Sequence, residues 1–361
     1  MTKQNTISIS LATALYGFVA LFFLLFGLLT GKIIYDRTEA VQHTALAEAV
    51  EVRGSHAALD FARTLNVDWQ NLKNIGERLA LNDPAALRAA LDMTVGNGTR
   101  VSWAGYATPN GRVASSSNDV LSEADVSARP WFQRGLSGQF AGDVHEAVLL
   151  NRILGGTEEE PLRFIDLAAQ VLGPDGAVAG VLGFHINFAW AEDYLTETAR
   201  SLDVDLFLVD QVGNVIIATD GSATGSSSLE VFRAAAAGVA HSDSEVWPDG
   251  ETYFTQVVPQ VTYGDLPSFG WRLVARISPE TFDAARTELR LEILIVLGAA
   301  GLFLLMLTVL FNRIFLRPVA DLAANAQRIA AGADDYPMEN RSSAEVATLS
   351  AALATLQGRR G

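Results

Sequence analysis

The side chains best equipped for chemistry in this 361-residue chain gather between positions 103 and 185. Arg129 is followed by Pro130, Trp131 and Phe132. A guanidinium is planar, permanently charged and shaped to take a carboxylate or phosphate through two parallel hydrogen bonds. Trp131, Phe132 and Trp103 are candidate walls for a small apolar pocket beside it. Asp143, His145, Asp166 and His185 form the polar set, able to line such a pocket and hold a ligand amine or hydroxyl. Each residue also has a plain role. An arginine can bond backbone carbonyls, aromatics fill cores, and Asp and His complete turns and sheets. Imidazole and carboxylate are metal ligands, but their spacing here matches no metal motif, so no metal site is assigned.

No catalytic constellation is visible. There is no cysteine nucleophile. A Gly-rich phosphate loop and a Gly-x-Ser-x-Gly elbow are also missing. The chain is read as a non-enzyme that needs no cofactor. His43, His56 and His241 stand apart from other candidates and are read as solvated or packing residues. Trp247, Tyr253, Tyr263 and Trp271 could wall a second pocket, but a core role suits them better. The formal charge of −15 argues against a nucleic-acid surface.

The elements that must position these residues follow from pattern. From Tyr35 to about Leu81 apolar residues recur at helical spacing, with Gly54 as an interruption and Asp83-Pro84 as a stop. Strands are expected at Arg100–Ala107 and Arg112–Ser115 around the turn Asn110-Gly111. Two more flank Gly173-Pro174-Asp175-Gly176 between Phe164 and Asn187. A third pair lies in Asp205–Thr219, turning at Val212-Gly213-Asn214. A helix over Ala189–Ser201 separates two antiparallel-sheet domains. The second closes with the strand Gly270–Ile277, and a helix follows from Pro279 to Arg290.

Two uncharged stretches bracket all of this. Gln4 to Gly31 and Ile293 to Asn312 are each long enough to cross a bilayer, which takes about 20 helical residues. The first is too long for a signal-peptide core and lacks a small-x-small cleavage site, so it is read as an uncleaved anchor. Lys3, Arg313, Arg317 and Arg328 favour cytoplasmic termini, against Lys32 and Arg37 on the loop side. Beyond the second stretch, Val319, Leu322, Ala326 and Ile329 repeat at 3-4-3 spacing, and so do Val346, Leu349, Leu353 and Leu356. Two such helices cannot bury their stripes alone. A parallel homodimer, giving a four-helix bundle, would cover them.

Pro318, the run ending at Gly332, the polar connector and Ala344-Glu345 together resemble a HAMP domain, the signal-relaying element of bacterial receptors. The family usually has Asp-Glu where this chain has Ala344-Glu345. Residues from about Tyr35 to Arg290 resemble a double Cache sensor, two PAS-like sheets on one long helix. Arg129-Pro130-Trp131-Phe132 looks like that family's Arg-x-Trp-Tyr pocket segment. Leu167–Val171 with Gly180–Gly183 looks like its closing strand pair. Gly142–Ala147 and Phe164–Ala168 are similar to stretches in Cache-containing cyclic-di-GMP synthases. In the amino-acid-binding branch an Asp near the end of the last distal strand holds the ligand amine. The matching position here is His185, a departure from that pattern.

The resemblance implies an α+β membrane protein. Its expected parts are a cytoplasmic N-terminus (1–8), a transmembrane helix (9–34) and a long extracytoplasmic helix (35–84). A membrane-distal ligand-binding Cache domain (85–195), a membrane-proximal Cache-like domain (200–290), a second transmembrane helix (291–313) and a HAMP coiled coil (314–361) follow. Arg129, Trp131, Phe132, Trp103, Asp143, His145, Asp166 and His185 are the expected ligand-binding residues. Pro318, Gly332 and Glu345 are the expected relay residues. The expected partners are a small extracytoplasmic molecule, the lipid bilayer, a second copy and a cytoplasmic output module, fused or separate, in a bacterial inner membrane. The rival reading is an interaction protein whose outer domain docks a periplasmic protein.

Overall fold

The structure, a computed structural model, describes residues 9–78, 83–157, 161–222, 228–278, 283–333 and 339–358. The expected N-terminal segment 1–8, the helix start at Pro279, residues 334–338 of the connector after Gly332 and the terminal Arg359-Arg360-Gly361 lie outside them. Two compact units are present, one of Met1–Val41 with Phe282–Gly361 and one of Gln42–Thr281.

The second unit is built on helix α1 (Leu11–Arg78). Its apolar positions from Leu46 onward recur every three to four residues, so they share one stripe, and that stripe is buried. It packs on the chain's own residues. Phe61 meets the rings of Trp190 at 6.4 Å, Tyr194 at 5.9 Å and Trp271 at 6.1 Å. Gly54 does not interrupt the helix. A Cβ there would lie 2.8 Å from the Ala275 methyl, so the missing side chain lets helix and sheet approach closely. Asp83-Pro84 opens helix α2 (Pro84–Val95) rather than stopping α1. The Asp83 carboxylate accepts from the backbone N–H of Ala85 and Ala86, and proline suits a first turn.

Ten strands follow in two sheets of five: β1 (Val101–Ala107), β2 (Val113–Ser116), β3 (Gln139–Glu146), β4 (Arg163–Leu172) and β5 (Val178–Asn187), then β6 (Asp205–Val209), β7 (Val215–Ala218), β8 (His241–Val246), β9 (Thr252–Val258) and β10 (Arg272–Ile277). The spatial orders are β2-β1-β5-β4-β3 and β7-β6-β10-β9-β8, so one topology is used twice, all antiparallel. Helix α5 (Phe188–Leu202) joins the sheets. Short helices α3 (Pro130–Leu136) and α4 (Val148–Leu154) belong to the first sheet, and α6 (Glu230–Ala237) to the second. The middle of β4 and of β5 is buried without alternation, because both faces are covered.

Asp68 on α1 is buried and bonded by Arg100, whose Nε and Nη2 donate to its Oδ2 at 3.0 and 2.7 Å. Burial pushes this carboxyl above its ordinary 3.8, and Arg100 pulls it back only in part. Between 3.8 and that raised value the native state holds a proton which the unfolded chain has released. Stability therefore falls as pH rises through this interval. Urea midpoints followed upward from pH 3.8 should show the decline in wild type and a flatter profile in Asp68→Asn. Parallel profiles would refute this assignment.

In the other unit, α1 and α7 (Asp283–Phe311) expose apolar faces, Phe18 at 69% and Leu302 at 70% among them. Two helices are long and apolar enough to cross a membrane, by length and composition. Gly301 receives the Phe23 ring, and Asn312 Nδ2 donates to the Tyr16 hydroxyl at 3.3 Å. One π turn (Asn312–Leu316) precedes α8 (Arg317–Ala330), with Pro318 in the first turn of α8. The proline ring would crowd a carbonyl four residues back, and the widened turn meets it there. Gly332, at φ 96°, follows the end of α8 in a left-handed conformation. Glu345 lies in the first turn of α9 (Ala344–Gly358). Backbone N–H and the Ser343 side chain hold its carboxyl below the usual range.

Candidate ligand site on the first sheet

Three strands set one row of side chains across the first sheet. Trp103 on β1 is registered against His185 on β5, and His185 against Asp166 on β4. Directly paired residues point to the same face, so these three side chains stand together. On β3 the partner of Asp166 is Gly142, where a Cβ would meet that of Asp166 at 3.0 Å. The register then slips between Gly142 and His145. Such a bulge re-aims a side chain, and it brings His145 to the Asp166 carboxylate.

Two glycines two positions along the same face make a flat floor. Gly105 pairs with Gly183. The Trp103 indole lies over Gly105, and the Trp131 ring lies where a Gly183 Cβ would come within 2.7 Å. Trp103 is completely buried, and its Nε1 donates to the Val120 carbonyl at 2.8 Å. Helix α3 delivers Trp131 from above, its ring 5.7 Å from that of Trp103.

Between them lies a cavity of about 70 Å³ lined by Trp103, Leu121, Asp125, Val126, Arg129, Pro130, Trp131, His145, Glu146, Ala147, Leu150 and His185. A water's share of liquid is about 30 Å³, so the space holds two or three groups of that size. Arg129 is exposed at the rim, the residue before α3, and its guanidinium has no hydrogen bond or ion pair to another described residue. Beneath, the buried Asp166 carboxylate lies 2.5 Å from His185 Nδ1 and 3.5 Å from His145 Nε2.

Of the eight residues selected from sequence, five line this cavity: Trp103, Arg129, Trp131, His145 and His185. Asp166 supports it from below through His185. Phe132 and Asp143 are not among the lining residues. Phe132 is buried in the core cluster with Phe164, Leu150 and Val181. The Asp143 carboxylate accepts from Val144 N–H and from Trp271 Nε1, both at 2.8 Å, so it ties β3 to the residue that precedes the second sheet's β10. The lining loop residues Leu121, Asp125 and Val126 had no sequence signal. Leu121 and Glu123 adopt left-handed backbone conformations, φ 65° and 64°, which cost side-chain-bearing residues on the order of 1 kcal/mol each and mark this loop as strained.

The second sheet places Trp247, Phe207 and Phe232 in its core. Arg276 is buried there, its guanidinium 4.2 Å from the Trp247 ring centre and 4.1 Å from that of Tyr253. Tyr263 stacks under Arg63, and Trp271 lies on Phe269.

A long helix carrying two sheets of identical strand order is a double Cache-type fold. Two solved structures show it. The ligand-binding domain of the Pseudomonas aeruginosa PAO1 amino acid chemoreceptor PctB, in complex with L-Arg, is 16% identical. That match covers 68% of this chain and 93% of that one, at a TM-score of 0.50. The Pseudomonas fluorescens chemoreceptor CtaA ligand-binding domain with L-isoleucine is also 16% identical, over 69% of this chain and 98% of that one, at a TM-score of 0.50. The match to an extracellular ligand binding receptor from Desulfohalobium retbaense DSM5692 spans 40% of that protein and 62% of this chain, at 12% identity and a TM-score of 0.46. The two Pseudomonas likenesses establish the fold alone. No family model matches the chain, and no curated protein matches it.

Proposed function

We propose that this chain is a transmembrane receptor whose first sheet binds a small extracytoplasmic anion, and that it is not itself an enzyme. One observation carries the reading: a cavity of about 70 Å³ with aromatic walls and an unpaired guanidinium at its rim. A filled core with a flat apolar outer patch would have favoured a protein-docking role instead. The size favours a small ligand, since drug-sized pockets start near 300 Å³. A carboxylate of a few heavy atoms fits as the cavity stands, whereas an amino acid with a long side chain requires α3 and its preceding loop to move outward.

Occupancy would reach the second sheet through Asp143 and Trp271, which meets Phe61 on α1. From there the signal crosses the bilayer through the second apolar helix. α8 and α9 act as a HAMP relay in a parallel homodimer. Leu349 is 49% and Leu356 61% exposed on α9, and an open groove of about 700 Å³ runs along Pro318, Leu322 and Asn325 on α8. A second copy would cover both. The output module, fused or separate, is of cyclic-di-GMP synthase, chemotaxis or kinase type. Both termini are cytoplasmic in a bacterial inner membrane, which reporter fusions test.

Calorimetry of the full chain in nanodiscs against small carboxylates and inorganic phosphate tests the binding claim. Arg129→Ala should weaken a discovered anion about 10- to 100-fold, the worth of a charged hydrogen-bonded contact. Unchanged affinity would remove Arg129 from the site.

A further inference from the structure

His145, Asp166 and His185 come from three neighbouring strands, and one ligand atom from each lies within 4.8 Å of the others. No metal-ligand spacing in the sequence announces them, because the sheet register assembles them and not the chain. We infer that this trio binds a divalent transition ion of the zinc class, with an open coordination position facing the cavity.

Charge is the first argument. Asp166 is 3% exposed, and neither Lys nor Arg forms an ion pair with it among the described residues. Its only charge partners are two imidazoles. Buried carboxylates are held by cations or metals, because an uncompensated one is costly.

Proton placement is the second. His145 Nδ1 lies 3.4 Å from the Asp143 backbone carbonyl. A ligating histidine characteristically gives its other ring N–H to such a carbonyl. With the proton there, Nε2 turns its lone pair toward Asp166 Oδ2, 3.5 Å away. Two acceptors then face each other, and a cation resolves the conflict.

Distance is the third. Metal–nitrogen bonds of about 2.0–2.1 Å in a tetrahedron put neighbouring ligand atoms about 3.3 Å apart. His145 Nε2 lies 3.5 Å from Asp166 Oδ2, close to that length, and the three ligand atoms lie within 4.8 Å of one another, so the trio would draw in by up to about 1.5 Å around an ion. His185 Nδ1 and Asp166 Oδ1, 2.5 Å apart, must part by less than an ångström and release the proton between them. Two imidazoles and one carboxylate suit zinc, cobalt, nickel or copper, whereas calcium and magnesium ask for all-oxygen sets. Trp103 and Phe164, their ring centres 5.0 and 6.0 Å from that of His185, supply the dry shell.

This inference rests on the cavity being a binding site, and not on the ligand being an anion. The test is Co²⁺ titration of the untagged full chain in nanodiscs, followed by visible absorption and tryptophan fluorescence, with Zn²⁺ as competitor. One Co²⁺ per chain with the strong visible bands of four- or five-coordination is expected, together with quenching by the nearby indoles. His145 is partly exposed, so His145→Ala should fold, and it should bind about 100-fold more weakly or worse. Asp166→Asn provides a second variant, matched in shape. Weak six-coordinate bands unchanged by His145→Ala would reveal adventitious surface binding and overturn the inference. So would histidine NMR signals that titrate with protons and ignore Zn²⁺. The two readings fail separately. Cobalt binding without any Arg129-dependent anion removes the proposed ligand class, and an Arg129-dependent anion without cobalt removes only the metal.

Discussion

Replacing Arg276 with methionine should cost about 3 kcal/mol of stability, read as a lower denaturant midpoint at unchanged slope. The side chain sits on β10 in the centre of the second sheet. Its Nε donates to Asp205 Oδ2 at 2.8 Å and its Nη2 to Asp220 Oδ2 at 2.9 Å. The faces of Trp247, Tyr253 and Phe207 complete the enclosure, at 4.2, 4.1 and 5.3 Å. Methionine fills much of the volume, so the loss is mainly electrostatic. Breaking a buried ion pair from one side typically costs 3–5 kcal/mol. The lower end applies, because the Asp205 side chain is 36% exposed and recovers water, while that of Asp220, at 14%, recovers less. A double replacement, Arg276→Met with Asp220→Leu, should regain part of the loss, since it leaves no orphaned charge between them. If Arg276→Met alone were neutral, the aromatic enclosure would be the true support and the ion pairs incidental. The same residue fills the aromatic box of the second sheet with the chain's own cation.

What could be read from sequence follows what repeats locally. The α1 stripe, the turns at Asn110-Gly111 and Gly173–Gly176, and the apolar runs of β4, β5 and β10 each carry a period or a turn residue within a few positions. Two of the edge strands, β3 and β8, do not. β8 reads His-Ser-Asp-Ser-Glu-Val, with no alternation of buried and exposed positions, and its backbone pairing rather than its side chains makes it a strand. β3 was hidden for a similar reason, its register broken near His145. Asp83-Pro84 suits a helix boundary of either sense, and only the cap bonds decide that it begins one. The site was half legible. Arg129 and Trp131 stand in a short recognisable segment. The grouping of His145, Asp166 and His185 is a property of three strands side by side, and the Asp143–Trp271 bond joins residues 128 positions apart. Long-range register of this kind leaves no trace in local spacing.

Trp103→Ala should be the most damaging change at the site, costing about 3–5 kcal/mol and lowering the melting temperature by on the order of 10 °C. The indole is fully buried against Trp131 and His185. Its removal leaves a void over Gly105 and strips the Val120 carbonyl of its Nε1 donor. Trp103→Phe keeps a ring in the same slot and loses mainly that hydrogen bond, so about 1–2 kcal/mol is expected. The pair matters because the wall of the cavity is also core. Loss of ligand binding in Trp103→Ala would follow from unfolding alone and would say nothing about recognition. Trp103→Phe remains folded, and the small space it frees beside His185 should shift preference toward a slightly larger anion. Calorimetric unfolding comes first, then binding of the same two variants. A Trp103→Ala protein within 1 kcal/mol of wild type would mean that the first sheet tolerates a hole there, and a cavity that can be emptied so cheaply is not one held in shape for a ligand.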